Sequence, residues 1–185
     1  MSREPGHVRI IGGRWRGTRL PVADAPGLRP TPDRTRETLF NWLAPVLPGA
    51  RVLDLFAGSG ALGFEALSRG AGEALLVERD PRLCEALRGV AQRLPGGEAA
   101  SVVQADAIGF LDAPLHGRFD LVFLDPPFAD DLWERVLERL DAWTADQAWL
   151  YLESALQRSI EVPGWRPHRE GRSRETRHAL YRRGG

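Results

Sequence analysis

Short apolar runs alternate along the chain with segments whose apolar residues recur at helical spacing. Strands covered on both faces are apolar at nearly every position, so five such runs predict buried β-strands. They are residues 53–56, 74–77, 102–103, 121–124 and 149–152. Helices are expected over residues 61–69, 81–94 and 132–143, the last capped by Asp130 or Asp131. This alternation predicts a parallel sheet with helices on both faces.

The N-terminal pattern predicts an addition to that sheet. Residues 8–11 and 16–20 flank Gly12 and Gly13 and predict a β-hairpin, with the glycines supplying the turn. An isolated hairpin is marginally stable, so it must pack on the rest of the protein or on a partner. A helix is expected to begin at residues 31–33.

The C-terminal pattern predicts two further strands, residues 165–170 and 176–182, that extend the sheet in antiparallel fashion. We therefore expect a basic hairpin extension and linker over residues 1–30. One α/β domain with a seven-stranded, mostly parallel sheet is expected over residues 31–185.

Composition narrows the class of protein. The chain has 185 residues, which suits one well-buried domain, and no apolar run approaches the roughly 20 residues of a membrane-spanning helix. The first six residues lack the apolar stretch of a secretory signal, and the one cysteine, Cys84, has no partner for an internal disulfide. We expect a cytoplasmic protein with no membrane partner.

The formal charge of zero conceals an uneven distribution. Residues 1–40 hold eight arginines against four acidic residues, and residues 158–185 hold eight arginines against three. All 25 basic residues are arginines, whose planar guanidinium groups pair with phosphates and stack on bases. Basic ends around an acidic body favour a polyanionic partner, although arginines that are simply solvated remain an alternative, above all at the C-terminal end.

A glycine-rich turn follows the first predicted strand of the domain. It contains the candidate cofactor-binding residues Asp54, Phe56, Ala57, Gly58 and Gly60. Glycines there let the backbone approach a nucleotide closely, and the same letters fit the pattern of dinucleotide oxidoreductases. A carboxylate at the strand end favours a cationic sulfonium ligand over a pyrophosphate, which the carboxylate would repel.

Two more acids end neighbouring predicted strands. Glu78 lies eighteen residues after Gly60, where a carboxylate that binds ribose hydroxyls is expected. Asp106 is a candidate acceptor for the amino group of an adenine. Either residue could instead cap the helix that follows it.

The candidate catalytic residues, Asp125, Pro126, Pro127 and Phe128, follow the fourth predicted strand. An exocyclic amine of a base is a poor nucleophile, because its lone pair is delocalised into the ring. The Asp125 carboxylate and the Pro126 carbonyl could accept both amine protons and direct the lone pair at a methyl group. Phe128 offers a ring on which the base can stack. The four histidines lack metal-ligand spacing, so we predict no metal.

These motifs, with residues 9–17, 28–34 and 36–42, resemble the bacterial family of small-subunit ribosomal RNA guanine-N2 methyltransferases, D type, over nearly the whole chain. The resemblance implies a class I methyltransferase fold, S-adenosylmethionine as cofactor, and a guanine of 16S-type RNA in an assembled small subunit as substrate. It assigns RNA binding to six arginines, namely Arg9, Arg14, Arg16, Arg29, Arg34 and Arg36. Asp130 and Asp131 directly follow the candidate catalytic residues, so we do not expect that loop to bind phosphate.

Three alternatives stay open from the sequence. An adenine-N6 methyltransferase acting on DNA would use the same four-residue motif, but the chain is too small to hold a separate target-recognition domain. A nicotinamide oxidoreductase leaves the motif at Asp125 unexplained. A non-catalytic ribosome-assembly factor is difficult to reconcile with an intact Asp125. We expect a monomer.

Overall fold

The computed structural model describes residues 6–22, 31–127 and 131–184. Its strands, in chain order, are β1 His7–Arg9, β2 Arg19–Pro21, β3 Arg51–Asp54, β4 Glu73–Glu78, β5 Ala100–Gln104, β6 Phe119–Leu124, β7 Thr144–Ala155, β8 Trp165–Arg172 and β9 Thr176–Arg183. Its helices are α1 Asp33–Leu43, α2 Ala61–Ser68, α3 Pro81–Arg93, α4 Ala107–Leu111 and α5 Trp133–Leu137.

Seven strands form one sheet in the order β5-β4-β3-β6-β7-β9-β8. The first five in that order run parallel, and β9 pairs antiparallel with both β7 and β8. The predicted seven-stranded, mostly parallel sheet is therefore confirmed. Four of the five predicted apolar runs lie within strands, and β7 extends beyond residues 149–152 at both ends. The run 53–56 is shifted, because β3 ends at Asp54 and residues 55–56 already belong to the turn.

Helices cover the two faces of the sheet unequally. The face that carries Phe123, Tyr151 and Leu180, here called the α1 face, packs against α1, α2 and α3. The face that carries Leu150 and Ala179, here called the α4 face, packs against α4 and α5. Alternate residues of each strand supply the two faces, which explains why buried strands are apolar at successive positions.

The segment predicted as one helix over residues 132–143 divides in two. It forms the short helix α5 and then a separate 3₁₀ turn, Leu140–Trp143. The turn buries the Trp143 ring against Phe110, with the ring centroids 4.5 Å apart. The predicted cap at Asp131 is wrong, because its carboxylate pairs with Arg158, while Asp130 lies outside the described residues.

The N-terminal hairpin forms, but its connection differs from the prediction. β1 pairs with β2 from His7 opposite Pro21 to Arg9 opposite Arg19, and residues 10–18 connect them. Gly12 and Gly13 do not make a tight turn. Gly13 has a φ of 77°, and a side-chain carbon there would lie 1.9 Å from the Ser68 carbonyl oxygen. These glycines let the connection lie directly on the end of α2.

The hairpin shares the core of the α1 face instead of standing apart. Its apolar side chains Val8, Ile10, Trp15 and Leu20 are buried in the same cluster as residues of α1, α2 and α3. The predicted division at residue 30 lies outside the described residues and stays a prediction. Among the helices of the described segments, none is both long and apolar enough to cross a membrane.

Candidate active site

The acids that the sequence places at strand ends lie along one edge of the sheet. Asp54 ends β3, Glu78 ends β4, and Asp106 and Asp125 follow β5 and β6. These four strands are parallel neighbours, so their carboxyl ends meet on the side where open α/β sheets bind ligands.

The glycine-rich turn is held by Asp54 and by close packing. The Asp54 side chain is buried, and the Gly63 amide in the first turn of α2 donates to its Oδ2 at 3.0 Å. Gly60 has a φ of 79°, and a side-chain carbon there would lie 2.6 Å from the Phe64 ring and 2.7 Å from Leu87. Gly60 and Gly63 are therefore both required by the local packing of the turn against α2 and α3.

Glu78 links the end of β4 to the same turn. The Gly58 amide donates to its Oε2 at 2.9 Å, while the amides of Arg79 and Asp80 donate to Oε1 at 2.9 and 3.0 Å. The carboxylate therefore lies beside the glycine turn, where a ribose would be expected. Oε1 already accepts two hydrogen bonds, whereas Oε2 accepts one and keeps a lone pair for a ligand.

The remaining candidate cofactor residues flank this turn. Asp106 caps α4, because the Gly109 amide donates to its Oδ2 at 2.9 Å. The alternative role predicted for this residue, a helix cap, is therefore filled by one of its two carboxylate oxygens. Asp106 is exposed. Ala57 is buried and its amide donates to the Val77 carbonyl at 2.9 Å, while Phe56 is half-buried against the core of the α4 face. Their contact with a cofactor stays a prediction.

The catalytic candidates lie at the next strand end. Asp125 and Pro127 are half-buried and Pro126 is buried, whereas Phe128 lies outside the described residues. Desolvation raises the pKa of Asp125 well above its usual range, and the nearby charges of Glu153 and Asp54 raise this pKa further. A hydrogen bond from Thr31 opposes the rise in part.

Glu153, Tyr151 and Thr31 belong to this site although the sequence did not identify them. The Tyr151 hydroxyl and the Thr31 hydroxyl each donate to Glu153 Oε2 at 3.0 Å. All three side chains are buried. One signal was available for Glu153, which directly follows an apolar run in the same way as Asp54 and Asp125. No local pattern marks Thr31, which reaches the site from the start of α1.

Three acids therefore share this edge, of which Asp54 and Glu153 are buried and Asp125 is half-buried. Within the described residues, Asp54, Asp125 and Glu153 form no ion pair with an arginine. Desolvation raises the pKa of Asp54 to about 7, helped by the charge of Glu78, and desolvation also raises the pKa of Glu153. The edge favours a positively charged ligand, which would restore the ionised form of these carboxyls. The described residues contain no group of three side chains arranged to hold a metal.

The predicted RNA-binding arginines divide into three sets. Arg9, Arg14 and Arg16 of the hairpin and Arg34 of α1 are exposed, as the prediction requires. Arg29 lies outside the described residues.

Arg36 is a correction, because its side chain is fully buried and cannot reach RNA. Its guanidinium donates to Glu65 at 3.3 Å, to Asp33 at 2.6 Å and to the carbonyl of Arg9 at 3.0 Å.

Glu65 explains why an arginine is buried there. The amides of Ile11 and Gly12 each donate to its carboxylate at 2.9 Å, and Arg69 donates at 2.9 Å. This group of Glu65, Arg36 and Arg69, here called the hairpin anchor, holds the N-terminal extension against α2. One local signal was available for this arrangement, a glutamate near the centre of a largely apolar helix.

Cys84 has a structural place beside the site. It is buried, and its Sγ donates to the Glu78 carbonyl at 3.2 Å. Desolvation raises the pKa of this thiol, and the charge of Glu78 raises it further, so the thiolate is disfavoured. Cys84 is therefore not equipped to act as a nucleophile.

Known proteins resemble the chain over nearly its whole length. The family model described as Conserved hypothetical protein 95 matches residues 8–182. A relative from Escherichia coli named ribosomal RNA small subunit methyltransferase D is 48% identical over 182 residues, which cover 96% of this chain and 91% of the relative. A Haemophilus influenzae protein of the same name is 44% identical, with 85% and 84% covered.

Solved structures support the same relationship. A putative methyltransferase from Escherichia coli superimposes with a TM-score of 0.87 at 48% identity, covering 96% of this chain and 98% of that one. A putative methylase from Haemophilus influenzae gives a TM-score of 0.82 at 38% identity, covering 96% and 99%. The fold is that of a class I methyltransferase. The chain belongs to the ribosomal RNA small subunit methyltransferase D family.

Proposed function

We propose that this protein transfers a methyl group from S-adenosylmethionine to the exocyclic N2 amine of a guanine in small-subunit ribosomal RNA. The observation that carries the proposal is the edge where the buried acids Asp54 and Glu153 and the half-buried Asp125 lie together, with no cationic partner among the described residues. Family membership, and the names of the relatives in that family, support ribosomal RNA as the substrate.

The residues of the edge fit the proposed cofactor. S-adenosylmethionine supplies a methyl group activated by its positively charged sulfur when it is bound. The acids around Asp54 favour that positive charge, and the amides of the glycine turn lie close to the carboxylate proposed to accept the ribose hydroxyls, Glu78. Asp106, with one oxygen committed to capping α4, keeps the other for the adenine amino group.

Asp125 and Pro126 act on the amine of the target base. The Asp125 carboxylate accepts one amine proton and the Pro126 carbonyl accepts the other, which localises the nitrogen lone pair and directs it at the methyl group. Proline fixes the backbone, so these two acceptors need little rearrangement. Phe128 is proposed to stack on the base. As the new N–C bond forms, the nitrogen loses a proton, and the raised pKa of Asp125 suits it to accept that proton.

The exposed arginines supply the contact with RNA. Arg9, Arg14 and Arg16 lie on the anchored hairpin, and Arg34 lies on α1, which begins close to the site. Guanidinium groups held on a rigid support bind phosphates with less loss of entropy than mobile ones. We propose a monomer that acts in the cytoplasm on an assembled or assembling small ribosomal subunit.

Methyl incorporation tests the proposal. Small-subunit particles from a strain that lacks this protein would be incubated with the enzyme and tritiated S-adenosylmethionine, and the labelled nucleoside identified. Label in N2-methylguanosine supports the proposal. Label in N6-methyladenosine favours the adenine alternative. Stable binding to the particles with no incorporation favours an assembly factor without catalytic activity.

A further inference from the structure

The two C-terminal strands have faces with different charge balance. On the α4 face, Glu170 pairs with Arg177 at 2.8 Å and with Arg172 at 3.4 Å, and Arg183 pairs with Asp141 at 3.0 Å. These arginines are neutralised by the protein itself. The α4 face of the two strands therefore has little free positive charge to offer a partner.

The α1 face of the same strands is different. Arg166, Arg169 and Arg182 project from it, since Arg182 is opposite Trp149 and Arg166, while Arg169 is opposite Leu180 of the α1-face core. All three arginines are exposed, and within the described part of the chain none of them pairs with a carboxylate. We call these arginines, together with His168 and Trp149, the C-terminal arginine face.

An indole at the centre gives this face a surface for stacking. The Arg182 guanidinium lies 5.6 Å from the Trp149 ring centroid, and the His168 ring meets Trp149 edge-on at 4.8 Å. Trp149 is only half-buried, so part of its ring stays open. Free guanidinium groups around a partly exposed aromatic ring match both components of a nucleic-acid strand, the phosphates and the bases.

The geometry of β8 argues against a partner that adds a further strand. β8 is the edge of the sheet, but Pro167 lacks an amide donor and the pairing with β9 shifts between Pro167 and Arg169. Proline and bulges in an edge strand are features that prevent strand addition. The partner is therefore bound through side chains and not through the backbone.

We infer that the C-terminal arginine face binds a second segment of the RNA whose base enters the active site. The inference rests on the proposed function. Trp149 lies four residues before Glu153 on β7, which places this face about 13 Å from the catalytic edge. Helix α1 lies between this face and the N-terminal hairpin, because its Trp42 stacks on His178 of β9 and its Arg36 pairs with Glu65, which anchors the hairpin on α2. The RNA then passes over α1 near Arg34. The arginines of the N-terminal hairpin bind one segment of it, and the C-terminal arginine face binds the other.

The test compares two pairs of substitutions in the β8–β9 hairpin that remove equal charge. The variant Arg166→Gln with Arg169→Gln changes the C-terminal arginine face. The control variant Arg172→Gln with Arg174→Gln changes the α4 face and the adjoining turn. Affinity for small-subunit particles that lack the modification would be measured by filter binding at 50, 100 and 200 mM monovalent salt, with thermal unfolding as a check of the fold.

We expect the face variant to bind the particles about tenfold more weakly than the control at low salt, with a salt slope reduced by about 1.4, since each lost contact with single-stranded RNA contributes roughly 0.7. Its kcat at saturating particles and its affinity for S-adenosylmethionine should match the control.

Three results would overturn the inference. Equal affinities of the two variants would remove the face from the RNA footprint while the proposed function stands. Weaker binding with an unchanged salt slope would identify a protein surface of the particle as the occupant. A wild-type protein that neither binds nor methylates the particles would refute the proposed function as well.

Discussion

The protein buries acidic side chains in two places, and the groups that surround the carboxylates differ in charge between the two. Glu65 in the hairpin anchor is surrounded by two guanidinium groups and two backbone amides. Glu153 at the catalytic edge receives hydroxyl groups and, within the described residues, no guanidinium group, and its neighbours Asp54 and Asp125 are also acids. In the hairpin anchor, arginines of the protein balance the charge of the buried glutamate. At the catalytic edge the described residues supply no such positive charge, and a cationic ligand would supply it.

The difference separates structural from functional burial of charge. A buried charge with all its partners contributes shape and register, and removing one partner is costly. A buried acid without a cation is destabilising in the free protein, so it persists where a ligand or a reaction needs it. Arg36, which the sequence suggested as an RNA ligand, belongs to the first class for this reason.

The largest expected effect is on catalysis at the unpaired acids. Asp125→Ala should lower the rate of methyl transfer by about 10³-fold or more, because the amine loses its charged acceptor. Affinity for S-adenosylmethionine, measured by calorimetry, should change less than threefold, since we propose that Asp125 contacts the amine and not the donor. Parallel loss of rate and cofactor affinity would contradict this assignment.

The next largest effect is expected on the stability of the fold when Glu65, the buried acid with arginine partners, is changed. Glu65→Gln should lower the free energy of unfolding by about 3–5 kcal/mol, because Arg36 would remain buried with a weakened partner. Urea unfolding gives the free energy, and hydrogen exchange at the Ile11 and Gly12 amides reports whether the hairpin detaches.

The double variant Glu65→Gln with Arg36→Met serves as its control. It should recover part of the stability, because both charges leave the interior together. If the double variant loses the sum of the two single effects, the pair is not coupled as described.

A smaller effect is expected from changing Glu153, which acts on the pKa of Asp125. The charge of Glu153 raises the pKa of Asp125, so Glu153→Gln should lower that pKa. The acidic limb of the pH profile of kcat should then move to lower pH, with a loss of rate of roughly tenfold at most. A profile that drops in height without moving along the pH axis would mean that Glu153 only supports the fold.

The last prediction concerns the dependence of stability on pH. Burial raises the pKa of Asp54 from 3.8 to about 7, so between these values the folded state holds a proton that the unfolded state has lost. This contribution to stability is present below pH 4 and is lost as the pH rises toward 7. Asp54→Asn should therefore show a shallower decline in the free energy of unfolding between pH 4 and 7. Identical slopes would indicate an ordinary pKa for Asp54.

The sequence predicted the parts of the molecule that depend on local pattern. Apolar runs predict all five parallel strands, and the positions of the glycine turn and Asp125 directly after two of them predict that both lie at one edge of the sheet. Buried strands require apolar residues and tight turns require glycine, so each feature can be recognised in a few adjacent letters.

What escaped prediction depends on residues far apart in the chain. Arg36 looks like its exposed neighbour Arg34 until Glu65, 29 positions later, is seen to pair with it. Thr31 and Glu153 are separated by 122 positions, and only the fold brings their side chains together. Likewise, Gly13 suggested a tight turn, and its contact with Ser68 shows that close docking requires the glycine.

The length of helix α2 fixes the distance between the glycine-rich turn and the N-terminal hairpin. Its first turn carries the glycine loop at Gly60, and its last residue, Ser68, accepts the Trp15 amide of the hairpin loop at 2.9 Å. Eight residues of helix span about 12 Å, and one inserted residue would rotate every later side chain by about 100°. If that residue were inserted before Glu65, this side chain would turn away from the hairpin, so the hairpin anchor depends on the length of α2.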